Sequence, residues 1–280
     1  MEGKKLQMNV KNINFLCGLP RSGSTLLATL LNQHPEIYAS PHSALLDGLW
    51  AMREAFVNSE SVKFMLRLSA YQETLWTTPQ TFYSGIEKNI IFDKQFCWST
   101  PDNFQLAMKI SINPHFIVCY RPILEVLASF VAKSVDNPNY YLNKALDNST
   151  FYPKNYLNKN DTLAEFIMQN NDLIPKSMVG LAYAKQNEKS GMFKFVLYDD
   201  LVNDPQKMMQ DIFEFLKLEP IKIKTENLQD IFRYKDTKVL GVDDFHKIRP
   251  TIKKESPKPE DLFSDYILKK YENELTSVGL

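Results

Sequence analysis

The stretch Gly18-Leu19-Pro20-Arg21-Ser22-Gly23-Ser24-Thr25 decides how the rest of this chain is read. An apolar run, Ile13-Asn14-Phe15-Leu16-Cys17, precedes it and reads as a strand. Ser24 to Gln33 follows with helical spacing, Leu26, Leu27, Leu30 and Leu31 making one apolar face, and His34-Pro35 stops it. A glycine-punctuated loop between a strand and a helix has the layout of a phosphate loop. Its glycines let successive backbone N–H groups point into one concavity, and the helix N-terminus adds partial positive charge. Arg21 supplies a fixed cation with a bidentate donor fork. Glycine spacing alone also suits a tight turn with a capping serine. The arginine and hydroxyls in this context favour an anion site. Ser24 stands where ATPases and GTPases place a lysine that reaches the β- and γ-phosphates, which argues against ordinary nucleoside triphosphate hydrolysis. No acidic strand end stands out as a magnesium ligand, so no metal is expected.

Further strands are expected at Ile37-Tyr38-Ala39, Phe116 to Tyr120 and Phe193 to Tyr198, with helices after Pro122 and Pro205, and Asn89 to Asp93 holds another apolar run. Alternating strands and helices predict an α/β fold: a P-loop-like three-layer domain with a mainly parallel central sheet flanked by helices. Residues 1–280 read as a single domain with two excursions. One, at about 43–92, looks helical; the other, at about 134–160, is rich in Asn, Tyr and Pro and reads as a long loop. Thr162 and Glu165 have the spacing of a capping box for a helix through Asn170, and Pro259 to Leu275 reads as an amphipathic helix.

Composition narrows the function classes. Lys plus Arg and Asp plus Glu are both 33 among 280 residues, so the formal net charge is zero. That balance argues against a bulk electrostatic grip on nucleic acid or an anionic membrane, and any anion site must be local. No apolar run approaches the ~18 residues of a membrane span. Met1 to Asn14 is polar and lacks a signal-peptide core. Cys17, Cys97 and Cys119 lack metal-ligand spacing and read as small core residues of a reducing compartment. A cytoplasmic location follows, with a bacterial or viral source fitting best.

Residues Gly18 to Leu27 resemble the 5′-phosphosulfate loop of the sulfotransferases, enzymes that use 3′-phosphoadenosine 5′-phosphosulfate (PAPS). The resemblance extends to three other places. In Tyr120-Arg121-Pro122-Ile123-Leu124-Glu125-Val126-Leu127-Ala128-Ser129, an arginine ends a strand and a serine follows eight residues later. In the family that pair binds the 3′-phosphate, which implies this role for Arg121 and Ser129. An arginine at a strand end and a hydroxyl about two helical turns on can converge on one anion. The family usually has Arg-Asp-Pro, whereas Pro122 follows Arg121 directly. Val196 to Leu201, followed by Asp204-Pro205, is similar to the family's Tyr-Glu-Asp-Leu segment and implies that Tyr198 lies near the nucleotide, with Asp200 holding local structure. Phe245-His246-Lys247-Ile248-Arg249 sits where the family has a basic segment closing over the nucleotide, making Lys247 and Arg249 candidates, with Lys253 and Lys254 behind them. The cofactor-binding set is therefore Arg21, Ser22, Gly23, Ser24, Thr25, Arg121, Ser129, Tyr198, Lys247 and Arg249.

The resemblance implies sulfuryl transfer from PAPS to an acceptor hydroxyl or amine, leaving adenosine 3′,5′-bisphosphate (PAP). Arg21 is expected to stabilise the leaving phosphate, and Lys94 resembles the family lysine at the sulfonate or bridging oxygen. His42 falls where the tyrosyl-protein enzymes carry their base, and an imidazole suits that role at neutral pH. His246 and Asp47 are the reserves. The phenol and steroid enzymes use a histidine two residues after the lysine, where this chain has Phe96. A nucleotide-type kinase and a non-catalytic nucleotide binder are the competing readings. The acceptor (sugar, phenol, lipid-like alcohol or peptide tyrosine) is open. Trp50, Phe56, Trp76, Tyr83, Tyr140, Tyr141, Phe151 and Tyr152 either line its pocket or pack helices.

Overall fold

The computed structural model describes residues 10–64, 68–135, 137–149, 158–170, 172–232, 234–254 and 257–280. Strand β1 (Asn12–Gly18) leads into α1 (Ser24–Leu31) and β2 (Ile37–His42). Helices α2 (Leu45–Asn58), α3 (Glu60–Phe64) and α4 (Leu68–Phe82) follow, then β3 (Ile90–Lys94), α5 (Pro101–Ile110), β4 (Phe116–Tyr120) and α6 (Ile123–Val135). Next come α7 (Tyr141–Asp147), α8 (Lys159–Asn170), α9 (Leu173–Gln186), β5 (Phe193–Leu197), α10 (Tyr198–Asn203) and α11 (Pro205–Phe215). The short α12 (Asp236–Leu240) and α13 (Asp265–Tyr271) complete the order.

The five strands form one sheet in the order β2-β3-β1-β4-β5, and every neighbouring pair is parallel. The four expected strands are present and the apolar run after Asn89 is the fifth, β3, because parallel strands covered on both faces read as continuous apolar runs. Side chains alternate between two cores. Phe15 and Cys17 of β1 face one core with Val126, Leu127 and Phe130 of α6. Leu16 faces the other with Leu27 and Leu30 of α1 and Ile212 and Phe213 of α11. This is the three-layer arrangement expected, and it places the C-terminal ends of β1, β3 and β4 at one edge, where such sheets build their sites.

Several local readings need correction. Thr162 and Glu165 lie inside α8, which begins at Lys159. The cap is Asn158, whose Oδ1 accepts the Asp161 backbone N–H at 2.9 Å, one turn earlier than the expected box. The tail is not one amphipathic helix: a 3₁₀ turn at Pro259–Asp261 is separated from α13 by residues 262–264. The second excursion contains α7 rather than loop throughout. Residues 150–157, with Phe151 and Tyr152, lie outside the described residues, as do residues 1–9 of the polar N-terminus.

The aromatics of the first excursion pack helices. Trp50 Nε1 donates to Asn103 Oδ1 of α5 at 2.7 Å. Phe56 stacks on Tyr71. The Tyr83 hydroxyl donates to the buried Asp93 carboxylate at 2.5 Å, and Trp98 Nε1 donates to its other oxygen at 2.7 Å. Asp93 thereby ties the excursion to β3 and faces away from Lys94, its neighbour on the strand. Burial raises the Asp93 pKa above the ordinary carboxylate value, against these hydrogen bonds.

Candidate active site

The phosphate-loop stretch turns sharply after β1. Gly18 has φ +112°, and a Cβ there would drive into the Cys119 carbonyl of β4. The close approach is fixed by Leu19 N–H, which donates to that carbonyl at 2.8 Å. Arg21 and Gly23 both adopt left-handed backbone, at φ 59° and 82°. For glycine this is free; for arginine it is a strained conformation held by the loop. Gly23 caps α1 without any side chain, so the first N–H groups of that helix keep their donor capacity. Ser22 is buried, and its hydroxyl donates back to the Leu19 carbonyl, pinning the loop.

Arg21 reaches across the sheet edge to α6. Its Nε donates to Ser129 Oγ at 3.0 Å and its Nη1 to the Phe245 carbonyl at 2.7 Å. The guanidinium lies 4.1 Å from the centre of the Phe245 ring. Burial lowers its pKa from the ordinary arginine value. Arg121 ends β4 as expected and is buried. Its guanidinium stacks on Tyr198 at 4.2 Å, and its Nη1 donates to the Arg21 carbonyl at 3.3 Å. A Cβ on Gly23 would stand 2.7 Å from the same Tyr198 ring. The loop, Arg121, Ser129 and Tyr198 therefore form one assembly, although the sequence spreads them over residues 18–198. Glu125, one helical turn beyond Arg121, takes two of its nitrogens in an ion pair at 2.8 Å.

Lys94 ends β3 beside the loop. Its Nζ donates to Thr25 Oγ1 at 2.8 Å and to the Tyr234 hydroxyl at 3.3 Å. Burial pulls its pKa down to about 8, with the Arg21 charge acting in the same direction. His42 ends β2 in register with Lys94. Its side chain is exposed, with Nε2 3.4 Å from the Gln95 amide nitrogen. Partial desolvation, then the Lys94 charge, lowers its pKa below the ordinary histidine value. His246 is held differently: its Nδ1 lies 2.7 Å from Asp236 Oδ1, and its ring stacks on Tyr234.

A cavity of about 670 Å³ gathers these groups. Arg21, Gly23, Ser24, Thr25, His42, Lys94, Tyr198, Lys247 and Arg249 line it, with Lys253 and the reserve His246. Ser22, Arg121 and Ser129 stand behind the lining, and neither Asp47 nor Lys254 is part of it. Lys254 instead pairs with Glu125 and Asp199. Of the excursion aromatics among the described residues, Tyr141 lines the cavity, as do Phe96, Phe130, Leu173 and Leu240.

Sequence reading missed Tyr234, Asp236, Phe245 as the platform for Arg21, and Glu125. Glu125 was findable from its i,i+4 spacing to Arg121. Tyr234 and Asp236 lie in an irregular stretch whose partners are far away in the chain, and no local pattern marks them.

The sequence pattern of the sulfotransferase family matches residues 14–222. Solved structures agree on the fold. The sulfotransferase domain from the curacin biosynthetic pathway aligns over 97% of this chain and 92% of its own, at 17% identity and a TM-score of 0.52. Mouse sulfotransferase SULT7A1, complexed with PAP, aligns over 96% of this chain and 86% of its own, at 11% identity and a TM-score of 0.54. Retinol dehydratase, in complex with androsterone and inactive cofactor PAP, covers 95% of this chain and 80% of its own, at 14% identity and a TM-score of 0.51. No curated protein sequence matches the chain. Among the described residues no helix is long and apolar enough to cross a membrane.

Proposed function

The chain belongs to the sulfotransferase family, and we propose that it moves a sulfuryl group from PAPS to an acceptor hydroxyl, working as one domain. The observation that carries this reading is the 3.0 Å contact between Arg21 of the phosphate loop and Ser129 of α6. It joins the phosphate loop to α6, the two elements that would take the two phosphate-bearing ends of a nucleoside bisphosphate. Mouse SULT7A1 and retinol dehydratase were solved with PAP, which supports the same donor.

The residues present suit such a donor. The uncapped N-terminus of α1, the close-packed glycines and Arg21 offer N–H and guanidinium donors to a 5′-phosphosulfate. Arg121 and Ser129 offer a buried cation and a hydroxyl to a 3′-phosphate. Lys247 and Arg249 add cations to the cavity lining, and Tyr198 offers a ring. Ser22 contributes by holding the loop shape. Charge that develops on the oxygens around the transferring sulfur faces Lys94 and Arg21, both pre-positioned and away from bulk water. Thr25 orients the lysine. Two histidines, His42 and His246, line the same cavity as the lysine, so a proton acceptor is at hand.

The test is release of PAP from PAPS with a panel of acceptors: a simple phenol, a hexose, a long-chain alcohol and a tyrosine peptide. PAP release stimulated by one of these supports the reading. Magnesium-dependent release of ADP from ATP, with no use of PAPS, would favour the kinase reading instead.

A further inference from the structure

We propose that His246, held by Asp236, takes the proton from the acceptor, an inference that rests on the sulfotransferase reading above. Asp236 opens α12 and turns both carboxylate oxygens on residue 246. Its Oδ1 faces ring Nδ1 at 2.7 Å, and its Oδ2 accepts the His246 backbone N–H, also at 2.7 Å. The carboxylate is buried, so this contact is shielded from water. An imidazole that donates its Nδ1 proton to a carboxylate presents a lone pair on Nε2.

The ring is fixed in place as well as in tautomer. Tyr234 stacks on it with centroids 4.5 Å apart and planes at 28°. The Tyr234 hydroxyl lies 3.3 Å from Lys94 Nζ and accepts the His42 backbone N–H at 2.9 Å. One tyrosine therefore packs the imidazole and meets the lysine beside the phosphate loop. Burial, with the Lys94 and Arg21 charges, lowers the His246 pKa from its ordinary value, while Asp236 pushes it up. The net direction is downward, toward the neutral ring that a base needs. His42 has no carboxylate hydrogen-bonded to it among the described residues, and its exposed ring is held by Gln95 at 3.4 Å.

The acceptor O–H bond breaks and its proton passes to His246 Nε2. The freed oxygen pair forms the new O–S bond while the S–O bond to the 5′-phosphate breaks, its pair staying on the phosphate oxygen. The products are the sulfated acceptor and PAP, and the imidazolium returns its proton to solvent. Asp236 is a positioning residue in this scheme, and His42 forms the acceptor-side wall.

The experiment uses the full chain and the variants His246→Gln, Asp236→Asn and His42→Gln. PAP affinity is measured by calorimetry, PAP release from PAPS with the phenol or with water as acceptor, and the His246 ring state by ¹⁵N NMR at pH 7.5. His246→Gln is expected to lose about 100-fold or more in kcat, the scale of general-base catalysis, with PAP affinity within about threefold. Asp236→Asn is expected to lose about tenfold in kcat, to move the acid limb of the pH profile and to change the NMR tautomer signature. His42→Gln is expected to raise the acceptor KM more than it lowers kcat. Full turnover by His246→Gln, a 100-fold kcat loss in His42→Gln alone, or an Nε2-protonated ring in the parent chain would overturn the assignment. Failure of the parent chain to bind PAP would instead overturn the donor reading beneath it.

Discussion

Arg121 grips Glu125 with two nitrogens on one oxygen: Nε stands 2.9 Å and Nη2 2.8 Å from Oε2. The other carboxylate oxygen accepts from Lys254 at 3.2 Å. Glu125 therefore occupies the arginine proposed to hold the 3′-phosphate, and the two anions compete for it. Glu125→Gln should tighten PAP binding by about 3–10-fold, since a charge-assisted contact no longer has to be displaced. The same variant should lower the thermal midpoint by a few degrees, because the mostly buried Arg121–Glu125 ion pair is lost. Calorimetry and a thermal melt on the same sample check both, and unchanged PAP affinity would remove Glu125 from the account.

Lys94 gives a pH prediction. Its protonated form is the one that stabilises developing charge, and burial brings its pKa down to about 8. The rate constant kcat/KM should therefore fall as pH rises through about 8, reporting the free enzyme. Lys94→Met should cost about 10²–10³-fold in kcat, in the range of a lost oxyanion donor, and should abolish that alkaline limb. A limb that persists in the variant would assign the titration elsewhere.

The phosphate loop and α2 predict opposite outcomes for two glycines. Gly23→Ala puts a side chain at φ 82° and a Cβ 2.7 Å from the Tyr198 ring. It should destabilise the chain by about 1–2 kcal/mol and weaken PAP binding together. Gly48, inside α2, has open space around the position a methyl group would take, with nothing within 4 Å. Gly48→Ala should raise stability by about 0.5–1 kcal/mol without touching the site. Denaturant melts on the two variants decide it.

Asp204 offers a control outside the cavity. Its carboxylate accepts the Lys207 backbone N–H at 3.0 Å, capping α11 ahead of Pro205. Asp204→Ala should cost about 1 kcal/mol of stability and leave PAP affinity unchanged. A loss of affinity would mean that α11 and the site are mechanically coupled.

The sheet was legible because each strand is a short apolar run bounded by turn residues, and burial on both faces demands that pattern. The convergence of Arg21 with Ser129 and Arg121, and of Thr25 with Lys94, was legible, because the spacing follows from strand ends and helix turns that the sequence also displays. Trp50 and Tyr83 were ambiguous, since apolar surface looks the same whether it fills a core or a pocket. The box at Thr162 and Glu165 was misread because Asn158 offers an equally good cap one turn earlier. Tyr234 and Asp236 left no trace: each acts through tertiary contacts, Tyr234 with Lys94 140 residues away, and the stretch around them has no period to read.

The most direct measurement is calorimetric titration of the full chain with PAP, with ATP–Mg²⁺ in parallel. The account predicts that PAP binds the phosphate loop and Arg121 together and far more tightly than ATP–Mg²⁺. Preference for ATP–Mg²⁺, or no binding of PAP, would contradict it.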